Sequence, residues 1–81
     1  MFNKDSLTKA VVLMLVEAGQ DFTFTYDPES YSNEIRLANN CGLVTVSKDG
    51  YHVYGPKMGD SYHNLDFGPQ SDNFISTVLF S

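Results

Sequence analysis

The 81-residue chain has one cysteine, three prolines, no tryptophan and only five basic residues, and its longest apolar run is the seven residues 10–16. A lone Cys41 cannot close an internal disulfide, so the fold has no redox staple and suits a reducing compartment. Seven apolar residues fall far short of the roughly 20 that span a bilayer. The run is also bracketed by Asp5 and Glu17, which argues against a signal peptide. No Asn-x-Ser/Thr acceptor occurs. These scarcities lead to the expectation of a cytoplasmic protein. Ten acidic residues against the five basic ones give a net charge of −5, which repels the polyanions, free nucleic acid and anionic membrane. The expected partner is instead a protein with a basic surface.

What is present is apolar and aromatic material. Hydrophobic residues make up 42% of the chain, with six Phe and five Tyr, enough to fold and at this length enough for one domain, residues 1–81. Leu7, Val11, Met14 and Ala18 step by four, three and four, which predicts a helix over 7–18 capped by Ser6 and stopped by Gly19. Val12, Leu13 and Val16 fall on its other side, so the helix has more apolar surface than one sheet covers. Either a C-terminal segment of the chain covers that side, or it is a homodimer or partner contact through helix 7–18.

Phe22, Phe24 and Tyr26 alternate with Thr23 and Thr25, the period of a strand. Asp27, Pro28 and Glu29 match the cap and first turn of a helix, and Tyr31, Ile35 and Ala38 supply an apolar face, predicting a second short helix over 28–40. A strand over 34–38, alternating about Arg36, is the competing reading. Residues 43–46 and 51–54 are β-rich runs joined by Ser47, Lys48, Asp49 and Gly50, a hairpin. From 55 to 73 the composition predicts a surface excursion, with Leu65 and Phe67 as a short strand inside it. Phe74, Ile75, Val78 and Leu79 close the core as helix or strand. The fold class is therefore α+β, an N-terminal helix packed on a small antiparallel β-sheet with a central hairpin.

The reactive side chains do not assemble into a signature. Cys41, His52 and His63 are zinc-ligand types, but structural zinc sites use four ligands in close pairs. Residues 50–57, GYHVYGPK, echo a phosphate-binding loop, yet Pro56 brings no amide donor and Met58 stands where the hydroxyl is needed. Asp60, Asp66 and Asp72 lack the alternating acids of a calcium loop. No catalytic residue, metal or cofactor is expected, and the chain reads as a non-enzymatic protein.

Charge distribution says more. Residues 17–34 hold Glu17, Asp21, Asp27, Glu29 and Glu34 with no Lys or Arg, interleaved with Tyr26 and Tyr31. A second acidic stretch contains Asp60, Tyr62 and Asp66. Tyrosine gives rigid contact area and carboxylates steer a basic partner. The candidate partner-binding residues are thus Asp21, Tyr26, Asp27, Glu29, Tyr31, Glu34, Asp60, Tyr62 and Asp66.

Two resemblances extend this reading. Residues 39–55, NNCGLVTVSKDGYHVYG, resemble the end of a recognition helix plus the wing of winged-helix DNA-binding domains, which implies a regulator contacting DNA through Arg36 and Lys48. In size, acidity and scarcity of cysteine the chain is similar to small phage-encoded inhibitors of host defence or transcription, anti-CRISPR proteins among them. That likeness implies a nucleic-acid-handling host complex as target, met in the host cytoplasm, with carboxylates standing in for phosphates. A small self-associating structural protein is the remaining alternative.

Overall fold

The computed structural model describes residues 3–55, 60–64 and 70–80. Its elements in chain order are α1 (Lys4–Glu17), β1 (Phe22–Asp27), β2 (Ser32–Leu37), a 3-10 turn (Ala38–Asn40), β3 (Leu43–Ser47), β4 (Gly50–Gly55), β5 (Asp60–Asn64) and α2 (Ser71–Phe80). The strands form one antiparallel meander in the order β1-β2-β3-β4-β5. The fold is α+β, as the composition and periodicity predict.

Helix α1 begins one turn earlier than its apolar spacing predicts. Its cap is Asn3, whose side-chain oxygen accepts from the Ser6 backbone N–H at 2.9 Å. Ser6, the expected cap, is thus the residue being capped. At the other end Gly19 takes φ +69, donating to the Val16 carbonyl while Gln20 donates to Leu15. These paired bonds satisfy carbonyls that a helix end leaves open, and they need the left-handed conformation glycine adopts freely.

Residues 32–37 are β2 and not the predicted second helix. Asn33, Ile35 and Leu37 are buried while Arg36 is exposed, the period-two pattern of the competing reading. The helix-like spacing of Tyr31, Ile35 and Ala38 is coincidental. After β2, Asn39 and Asn40 adopt φ +60 and +57, a conformation asparagine tolerates better than most residues. They turn the chain into β3, with Leu37 N–H donating to the Gly42 carbonyl at 2.9 Å. With a strand where a recognition helix must stand, the winged-helix resemblance fails. The hairpin of β3 and β4 is as expected, Ser47 facing Gly50 across the Lys48 and Asp49 turn.

Residues 55–73 were expected to be surface excursion, yet five of them form β5. Its sequence DSYHN carries little β preference of its own, and the ladder with β4 supplies what the residues do not. Leu65 and Phe67 lie outside the described residues. The undecided segment 74–80 is helical, within α2.

Both helices lie on one face of the sheet. Leu7, Val11 and Leu15 of α1 and Ile75, Val78 and Leu79 of α2 form one buried cluster with Ile35, Leu37, Val44, Val46, Tyr51 and Val53 from the strands. Helix α2 lies over β4 and against α1, and α1 also meets β3. Helix α2 comes so near β4 that a side chain on Gly55 would collide with the Val78 carbonyl. The side of α1 that carries Val12, Leu13 and Val16 faces an open groove toward β1, with Leu13 and Val16 58% and 61% exposed. Although α2 packs against α1, the expected cover by the C-terminal segment is therefore not what the fold shows there.

Candidate protein-binding surface

Five of the nine predicted partner-binding residues sit on β1 or at its ends. Asp21 precedes the strand, Tyr26 and Asp27 end it, and Glu29 and Tyr31 lie in the turn to β2. They divide into two groups, because Asp21 and Asp27 are about 20 Å apart along an extended strand. The other four do not join them. Glu34 is on β2, where its carboxylate meets the Arg36 guanidinium at 2.9 Å. Asp60 and Tyr62 belong to β5, the opposite edge of the sheet. Tyr62 is half-buried against the core, its ring edge-on to Phe74 at 5.2 Å, so it is a packing residue. Asp66 lies outside the described residues. A single continuous acidic face through all nine is therefore not what the fold builds.

The compact group is the turn after β1. Asp27 accepts from the Glu29 backbone N–H at 3.0 Å with one carboxylate oxygen and from the Ser30 hydroxyl at 2.9 Å with the other. The Ser30 hydroxyl also lies 2.8 Å from that of Ser32. The Ser30 hydroxyl, then the Glu29 and Ser30 backbone amides, hold the Asp27 carboxyl below its usual pKa, since each donor favours the ionised form. Asp-Pro at residues 27 and 28 thus opens a turn and not a helix, by side-chain bonds that compete with helical ones. The turn ends on Tyr31 at φ +53, with the residue 62% exposed.

Beside the turn runs the least covered part of the helix-bearing face. Phe22, Phe24 and Tyr26 face Leu37, Ile35 and Asn33 across the ladder, yet Phe24 is 48% and Tyr26 46% exposed. Lys4 of α1 sits over the Tyr26 ring, 5.1 Å from its centre, a cation-π contact. Between α1 and β1 lies an open groove of about 540 Å³ whose apolar walls are Val12, Leu13, Val16 and Phe24, with Asp5 and Lys9 among its polar lining. The apolar surplus of the helix was legible in the sequence. Its junction with an edge strand was not, although FTFTYD carries no Lys, Pro or Gly to mark a protected edge.

The zinc-ligand residue types belong to other elements than this surface. His52 on β4 and His63 on β5 are register partners, whereas Cys41 lies between the 3-10 turn and β3, half-buried against the core. Among the described residues no three His, Cys, Asp or Glu side chains gather as a metal site. No helix among them is long and apolar enough to cross a membrane. No family model matches the chain, and neither the comparison with curated proteins nor that with solved structures returns a match.

Proposed function

We propose that this chain is a protein-binding module that presses the 27–31 turn onto a basic surface of its partner, as an inhibitor occupying a place otherwise taken by nucleic acid. The observation that carries this reading is Tyr31. A bulky residue at φ +53 is strained by roughly 1 kcal/mol or more, and at 62% exposure its ring recovers little by burial in this chain. The turn joining β1 to β2 uses a left-handed residue at this place, but neither conformational preference nor core packing favours a tyrosine there, and recognition is the reason we infer for it. Asp27 pre-organises the turn through Ser30 and the Glu29 amide, which lowers the ordering cost on binding. Glu29 and the net charge of −5 steer a cationic surface toward it.

The reading is tested by affinity capture from the native cells' lysate, comparing the wild-type chain with a Glu29→Lys, Tyr31→Asn double variant. Asparagine keeps the left-handed backbone, and both residues are exposed, so the variant folds. The expected result is loss of the captured protein, together with its release from the wild-type chain as salt rises. Equal capture by the folded variant overturns the proposal.

A further inference from the structure

We propose that two copies of this chain join edge to edge through β1, antiparallel about a twofold axis at Phe24, to give one continuous ten-stranded sheet. This goes beyond the reading of the 27–31 turn and does not rest on it.

Strand β1 ends the sheet, and five of its six residues are exposed. An edge strand offers a row of unpaired backbone N–H and C=O groups, and proteins blunt such edges with Lys, Pro, bulges or a covering segment. FTFTYD has no Lys or Pro, and its ladder with β2 runs through all six residues without a bulge. Among the described residues no strand lies on its outer side.

The residues of β1 choose the occupant. Around Phe24 the strand is a chemical palindrome, with Thr23 and Thr25 on either side and the aromatics Phe22 and Tyr26 beyond them. Antiparallel pairing about that residue sets Phe24 against its own copy, Phe22 against Tyr26, and Thr23 against Thr25. Aromatic and threonine cross-strand pairs are among those that stabilise a sheet. A foreign strand gives no reason for that mirror symmetry, whereas a twofold interface requires a self-complementary surface.

The same register keeps the helices of both copies on one side, because residues directly opposite in a sheet point to the same face. The half-exposed Phe24 rings meet at the axis, and the grooves bounded by Val12, Leu13 and Val16 open toward each other above them. One placement opposes association. Asp21 of one copy falls opposite Asp27 of the other at both ends, and like charges facing across a ladder repel. The dimer therefore tightens as salt rises, opposite to a contact driven by ion pairs.

Sedimentation equilibrium of the full chain, over a concentration series and at two salt concentrations, reads the association. Phe24→Lys sets two ammonium groups against each other at the axis and weakens the dimer roughly tenfold or more. Phe24→Tyr retains it, which guards against a general loss of folding. Register is read in a Cys41→Ala background. Phe24→Cys cross-links to its own copy under mild oxidation, since paired residues lie within disulfide reach. Phe22→Cys does not cross-link alone but does so when mixed with Tyr26→Cys. A chain that stays monomeric through the series overturns the proposal, as does a dimer indifferent to Phe24→Lys or one in which Phe22→Cys cross-links to itself. A monomer whose β1 captures a different protein overturns it too.

Discussion

The Asn33 side-chain amide on β2 donates to the Thr8 hydroxyl on α1 at 3.0 Å, a buried link between the helix and the sheet. Thr8 in turn donates to the Lys4 carbonyl one turn earlier, at 2.7 Å, so its hydroxyl is used in both directions. Elsewhere α1 meets the sheet mainly through aliphatic side chains, which fix distance better than register. This bond specifies which helical turn lies over which strand position.

Thr8→Val removes the acceptor and leaves the Asn33 amide buried without a partner, a cost of about 1–3 kcal/mol. Asn33→Leu strands nothing charged, and the double variant replaces both ends of the bond with apolar groups. Denaturant unfolding of the four chains is expected to show the double variant less destabilised than the two single changes added together. Simple additivity would mean that the bond contributes no coupling.

Gly55 and Gly19 separate two reasons for needing glycine. A methyl group at Gly55 would collide with the Val78 carbonyl and come within 2.9 Å of its carbon. Those are backbone atoms, unable to swing aside as a side chain does. Gly55→Ala is expected to cost on the order of 3 kcal/mol or to prevent folding. At Gly19 nothing stands within 4 Å, and only the φ of +69 resists a side chain, so Gly19→Ala costs about 1 kcal/mol. Thermal melts of the two variants check the order.

Tyr31→Gly relieves the strain of φ +53 and is expected to raise stability by about 0.5–1 kcal/mol. Under the proposed function the same change weakens capture of the partner. A variant both firmer and less able to bind would identify Tyr31 as a residue kept for recognition. One that melts lower would show the tyrosine ring to be structural.

Asp27 links the turn to acidity. Its carboxyl titrates below the ordinary value in the folded chain because Ser30 and the Glu29 amide favour the charged form. Its contribution is therefore fully present above the unfolded pKa, near 3.8, and is lost as pH falls through the lower folded value. NMR titration of the wild-type carboxyl should give a midpoint below that unfolded value. Ser30→Ala, which removes the largest cause, should move the midpoint back up. An unmoved midpoint would reassign the shift to the backbone donors.

Legibility in the sequence followed how local the deciding forces are. Helix α1, strand β1 and the hairpin of β3 and β4 were readable because periodicity and turn residues within a few positions determine them. The segment 28–40 misled because Asp27, Pro28 and Glu29 imitate a helix start, while the deciding fact, β1 and β3 flanking residues 33–36, lies outside the segment. Asn39 and Asn40 before Gly42 carried the missed signal, a turn between two β-rich runs. Strand β5 was missed for the same reason, since its partner β4 makes it a strand. Of the candidate binding residues, linear clustering grouped Asp27, Glu29 and Tyr31, which the fold places in or beside one turn. It could not show that Asp60 lies on the opposite sheet edge, or that Arg36 reaches Glu34.

Each strand of the meander is hydrogen-bonded to the one just before or after it in the chain, whereas the meeting of α1 with α2 spans nearly the whole length. Zipping the hairpins requires only small loops to close, and this keeps the entropic barrier of a β-rich chain low. The contact of the two helices closes a far longer loop than any hairpin of the sheet, so it is expected to form after the strands have paired.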